Sequence, residues 1–87
     1  TKILLLGIFP RGQSPQDLKR LNNVMINQKI RRFADGERVH YMDLSNEFLE
    51  PDGTIDKKIM PDYLHLSEAG YERWARAIQP KLEELGL

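Results

Sequence analysis

The sequence predicts an α/β fold built on parallel strands, and three observations predict it. Ile3 to Ile8 is an apolar run bounded by Gly and Pro, the pattern of a strand covered on both faces. A helical segment and then a second run of β-formers follow it, and strand, helix, strand at these lengths implies a right-handed parallel crossover. The chain closes on an amphipathic segment long enough to cover one face of such a sheet.

The first helix has three causes for its start: Ser14 as N-cap, Pro15 at the first helical position, and Asp17 near the positive end of the dipole. Between Leu18 and Phe33, residues Leu18, Leu21, Met25, Ile26, Ile30 and Phe33 fall on one broad arc, which is expected to face the core. Asp35-Gly36 ends this helix, and Arg38 to Leu44 (RVHYMDL) reads as the second strand. A loop region is expected from there to about Leu66, with a turn at Pro51-Asp52-Gly53-Thr54. Ser67 caps the last helix, in which Leu66, Gly70, Trp74, Ile78, Leu82 and Leu85 recur at helical steps. Trp74 and Tyr71 are expected to pack on it, and Pro80 to kink or loosen its second half.

With 87 residues there is room for one domain at most. Thirteen basic and thirteen acidic residues cancel without forming a block, which argues against a nucleic-acid partner. No apolar run approaches the roughly 18 residues of a membrane span, so the expectation is a soluble chain of unassigned compartment. The absence of cysteine removes a disulfide framework, a thiol nucleophile and a thiolate metal site. Thr1-Lys2 leads straight into the first strand with no initiator Met, and the chain is expected to be a fragment.

Gly7 to Ser14 (GIFPRGQS) nearly matches a phosphate-binding loop, but Gln13 stands where the lysine should be and Pro10 removes one N–H group. It reads better as a pocket wall at the carboxyl end of a parallel strand, where open α/β sheets place ligands. Asp62 and His65, three apart just before the last helix, suit a carboxylate on the Nδ1 side of an imidazole. That is the orienting half of a catalytic triad, although a surface ion pair or a hydrogen bond at the helix start is the commoner origin of the spacing taken by itself. His40 is expected to be a half-exposed strand residue. A zinc site from His40, His65 and Asp43 or Asp62 lacks close ligand spacing. Asp43 either ends its strand or bonds nearby loop N–H groups.

The segment DYLHLSEAGYERWARAIQPKL, from Asp62, resembles the last block of the SGNH, or GDSL, hydrolases. The resemblance is strongest to the branch of platelet-activating factor acetylhydrolase and bacterial carbohydrate acetylesterases. ILLLGIFPRG and VHYMDLSNEFLEPDGTI are similar to the family's preceding strand regions, so the likeness covers Ile3 to Leu82. It implies a single SGNH domain of which residues 1–87 are the C-terminal segment, within a three-layer α/β/α, flavodoxin-like sandwich of parallel strands. Asp62 would be the triad acid and His65 the general base in hydrolysis of small acyl, especially acetyl, esters. Pro10 and Arg11 would lie at the substrate pocket, and no metal or organic cofactor is implied.

The family's Gly-Asp-Ser block and its oxyanion Gly and Asn belong to an earlier part of the pattern, so this chain by itself is expected to be inactive. Ser45 is a poor substitute because Leu44 separates it from Asp43, and Ser14 and Ser67 read as caps. Two strands leave an uncovered edge. The expected partner is the N-terminal part of the same hydrolase or a second copy of the chain, besides a small ester substrate. The rival reading is a non-catalytic α/β interaction module that pairs through that exposed edge.

Overall fold

A computed structural model describes all 87 residues. Strand β1 (Ile3–Leu6) is followed by helix α1 (Leu18–Ile30), which runs into a short 3-10 turn (Arg31–Phe33). Strand β2 (Val39–Met42), a one-turn helix α2 (Ser45–Phe48) and helix α3 (Glu68–Leu85) complete the order. β1 and β2 pair in parallel with Ile3 opposite Val39 and Leu6 opposite Met42, so α1 is the crossover. The fold class is therefore α/β with a parallel two-stranded sheet, and both strands are shorter than their apolar runs.

Local chemistry explains the element boundaries. Asp35 Oδ1 accepts the N–H groups of Glu37, Arg38 and Val39 at 2.8, 2.9 and 3.0 Å, turning the chain out of the 3-10 segment into β2. At Pro51 to Thr54, the Thr54 N–H and hydroxyl both donate to Asp52 Oδ1, and Leu49 and Ile55 form an isolated antiparallel bridge across the turn. Ser67 Oγ accepts the Gly70 N–H at 3.1 Å as the α3 cap. Pro80 sits inside α3 without ending it.

The α1 cap differs from expectation. Asp17, not Ser14, is the N-cap, its carboxylate accepting from the Lys19 N–H at 2.8 Å. The Ser14 carbonyl instead takes the Asp17 N–H in a preceding turn, which places Pro15 ahead of the helix.

The larger difference concerns burial. The cluster at the centre of the molecule is Leu44, Phe48, Ile55, Ile59, Met60 and Ile78, so four of its six members come from the stretch expected to be loop. Leu6, Phe9, Met42, Trp74 and Leu82 pack around it, and the Phe9 and Phe48 rings lie 4.8 Å apart at a tilt. Gly70 lets α3 approach this segment closely, since a Cβ there would stand 2.7 Å from the Ile59 carbonyl oxygen.

α1 turns the opposite way from its apolar arc. Leu18, Leu21, Met25 and Phe33 are 75%, 46%, 57% and 71% exposed, whereas Arg20 and Asn27 are buried. Ile3, at the start of β1, is 52% exposed, so the strand is not covered on both faces. Tyr71 is likewise exposed and does not pack. The polar face wins because it has work to do: Asn27 accepts the Ile8 N–H at 2.7 Å and donates to the Ile8 carbonyl at 2.9 Å, continuing the strand's hydrogen bonding past its end. The radius of gyration, 13.5 Å, exceeds the about 12 Å expected of a compact chain this long, in keeping with apolar surface that this chain does not cover.

Candidate active site

Asp62 and His65 lie in the loop between Met60 and the start of α3. Tyr63 stands between them with φ 58°, a left-handed backbone rare for an aromatic residue and costing about 1–3 kcal/mol. The reversal it makes lets Asp62 Oδ1 accept two backbone N–H groups, from Leu64 at 3.0 Å and His65 at 2.7 Å. Oδ2 then faces His65 Nδ1 at 2.6 Å. An ionised carboxylate only accepts, so Nδ1 carries the proton and the neutral ring leaves Nε2 as an acceptor. The His65 side-chain bond, followed by the backbone N–H groups of His65 and Leu64, holds the Asp62 carboxyl well below the usual carboxylate range.

Arg11 joins Asp62 in the wall of a cleft of about 260 Å³, together with Gln13, Lys19 and Tyr63. Pro10 is buried and does not line it. The Gly7–Ser14 loop is no phosphate cradle, because its N–H groups are used internally: Gly7 donates to the Met42 carbonyl, Ile8 to Asn27, and Gly12 to the Tyr63 carbonyl at 3.0 Å.

The remaining candidates are occupied elsewhere. His40 Nε2–H donates to the Glu37 carbonyl at 3.0 Å, and no three His, Asp or Glu side chains gather as a metal site would need. Asp43 Oδ1 accepts the Ser45 N–H at 2.8 Å and the Ser45 hydroxyl, so the two residues together make the turn into α2. Ser67 Oγ is likewise engaged, as the cap of α3 and as a donor to the Lys58 carbonyl. No serine hydroxyl bonds His65.

Two sequence comparisons bear on this arrangement. The pattern of the GDSL-like lipase/acylhydrolase family matches residues 1–73, a span that contains Asp62, His65 and the loop at Arg11. The chain belongs to that family. Among curated members, it is similar to platelet-activating factor acetylhydrolase IB subunit alpha1 of Homo sapiens, 39% identical over 85 residues, covering 97% of this chain and 36% of that protein. Subunit alpha2 of Rattus norvegicus is 30% identical over 87 residues, with 97% of this chain and 37% of the relative covered. The chain thus spans little more than a third of the length of the GDSL relatives it matches. The α/β class with parallel strands agrees with the family assignment.

Three residues connect the loop after β1 to the turn at Gly53 and to the Asp62–His65 segment of the GDSL chain. Arg20 is buried and donates to three backbone carbonyls, Gly12 is held at φ 87°, and Tyr63 carries the left-handed turn. Gly12 was legible as a turn residue. Arg20 carried a weaker signal, in that it shares a helix face with Asn23 and Asn27 opposite the apolar arc. For a left-handed tyrosine there is no sequence signal.

Proposed function

We propose that this chain is the C-terminal segment, residues 1–87, of a single GDSL hydrolase domain and supplies the acid–base half of a Ser-His-Asp triad. The observation that carries the reading is the Asp62 carboxylate, fixed by two backbone N–H groups and bonded to His65 Nδ1. In this role Asp62 holds the imidazole in the tautomer with a free Nε2 and stabilises the imidazolium. His65 Nε2 takes the proton of a serine hydroxyl as that oxygen attacks the ester carbonyl, and returns it to the departing alcohol. Water then releases the acyl group by the same route.

The nucleophile and the oxyanion donors come from the N-terminal part of the hydrolase, which is the partner of this segment and completes the three-layer sandwich. The exposed face of α1 and the half-exposed β1 support such a covering partner. Small acyl esters, acetyl above all, are the proposed substrates, supported by the acetylhydrolase names of the relatives. Arg11 shares the cleft wall with Asp62, which supports a role for it in meeting the substrate's polar end. The 87-residue chain alone is inactive, because Ser45 and Ser67 are held in local hydrogen bonds and Ser14 belongs to the turn before α1.

The rival is an interaction module that pairs through the free edge of β1 and performs no chemistry. Fluorophosphonate labelling separates the two, since the reagent captures only an activated serine. The hydrolase reading expects labelling of a companion polypeptide when the assembly is intact, and loss of ester hydrolysis in His65→Ala. Near-normal turnover in that variant overturns the triad assignment.

A further inference from the structure

We propose that Arg20 is a positioning residue for the Asp62–His65 pair, acting through the peptide groups of Gly12 and Tyr63. The inference rests on the acid–base reading of that pair, and it adds a residue on a different element that sets the pair's geometry. Arg20 is 5% exposed on the inward side of α1, yet no carboxylate pairs with its guanidinium. Its donors go to backbone carbonyls instead: Nε to Arg11 at 3.1 Å, Nη1 to Gly53 at 2.6 Å, and Nη2 to Gly12 at 2.8 Å. A planar fork reaching three carbonyls at once fixes the relative position of the loop after β1 and the turn within the core segment, which a lysine's point charge cannot do.

Gly12 passes that constraint on. Its carbonyl is held by Arg20, and its N–H donates to the Tyr63 carbonyl at 3.0 Å. Gly12 has φ 87°, and a Cβ there would lie 2.6 Å from Asp17 Cγ, in the side chain that caps α1. The conformation that aims its N–H at Tyr63 is therefore tied to the start of the helix that carries Arg20. On the far side, the Tyr63 N–H donates to the Met60 carbonyl at 3.0 Å. Tyr63 is thus held in its left-handed conformation by bonds at both its N–H and its carbonyl. Its ψ and the orientation of the next peptide decide where the Leu64 and His65 N–H groups point, and those two groups hold Asp62 Oδ1. The carboxylate turns its other oxygen to His65 only if this chain of peptides is in place.

The test is nuclear magnetic resonance on the 87-residue chain, so that no hydrolysis is needed. The readouts are the low-field proton signal of His65 Nδ1–H, the carboxyl titration of Asp62, and amide exchange at Gly12. In Arg20→Lys the Nδ1–H signal is expected to broaden away and the Asp62 titration to move up toward the ordinary range. Gly12 exchange should accelerate by about two- to tenfold, the loss of one net hydrogen bond. Amides of α3 and of the β1–β2 pairing should keep their wild-type protection, which a general loss of stability would not allow. Unchanged signals from Asp62 and His65 in a folded Arg20→Lys chain overturn the proposal. Should that variant lose α3 protection, an amide-to-ester replacement at Gly12, made by chemical ligation, removes only the N–H donor and leaves the Arg20 bonds intact. The same selective loss is expected there, and an unaltered His65 signal overturns the proposal. Failure of the catalytic reading shows itself separately, as continued turnover in His65→Ala with the resonance results unaffected.

Discussion

The Asp62 carboxylate meets the His65 imidazole at 2.6 Å while their side chains remain 54% and 76% exposed. An exposed ion pair ordinarily contributes little to stability. The geometry here is held by backbone N–H groups and not by burial, so replacing Asp62 should disturb the histidine far more than the fold. Asp62→Asn is expected to lower the urea unfolding midpoint of the chain only modestly, measured at pH 7 by circular dichroism, by the same carboxylate contribution that acid removes. On the proposed acid–base role, the same change in an assembled hydrolase should lower kcat by about four orders of magnitude, as loss of the tautomer-fixing carboxylate does in catalytic triads.

Acid should destabilise the chain. Asp62, Asp35 and Asp52 all have carboxyls held below the usual range, Asp62 foremost by its bond from His65, Asp35 by the Val39 N–H and its neighbours, and Asp52 by the Thr54 hydroxyl. A folded-state value below the unfolded one means that the unfolded chain binds more protons, so stability rises with pH through that window. The contribution is complete above the unfolded carboxylate value of about 4 and is lost as pH falls below it. Urea titrations from pH 6 to pH 2.5 should show this decline, with a shallower slope in Asp62→Asn and in Asp35→Asn.

Phe48 and Met60 are 1% and 0% exposed and lie at the centre of the core cluster. Truncating either to Ala should cost about 2–5 kcal/mol, enough to unfold a chain with so few buried residues. Loss of the far-ultraviolet helical signal at 25 °C would be the direct readout.

On α1 the usual ranking of apolar and polar substitutions should be inverted. Met25→Lys, at a position 57% exposed, is expected to change stability by no more than about 0.5 kcal/mol. Asn27→Ala removes both bonds to Ile8 and should cost about 1–3 kcal/mol. Equal effects of the two variants in urea unfolding would contradict the observed orientation of the helix.

Gly70→Ala should destabilise by about 1–3 kcal/mol, because the added Cβ would stand 2.7 Å from the Ile59 carbonyl oxygen in backbone that has little room to move. Thermal unfolding against a surface control such as Ala75→Gly on the same helix separates this close approach from simple helix propensity.

The residues alone determined the order of the two strands and two long helices, the parallel crossover, the Ser67 cap and the turn at Pro51 to Thr54, since each follows from periodicity or from a side chain bonding backbone within a few positions. The motif around Asp62 and His65 was legible for the same reason, their three-residue spacing being itself a local geometry. Only the tertiary structure decided which side of α1 faces inward. An amphipathic arc states that a helix has an apolar face, not that this chain supplies the surface to cover it, and here Leu18, Leu21 and Met25 stay exposed while Arg20 and Asn27 bond the loop. It likewise decided that the core lies in Leu44 to Met60, a stretch whose periodicity is too short to read but whose apolar side chains converge once its turns close. The bond from the Gly12 N–H to the Tyr63 carbonyl, which links the loop beside Arg20 to the Asp62–His65 segment, joins residues on opposite sides of β2 in the sequence and exists only in three dimensions.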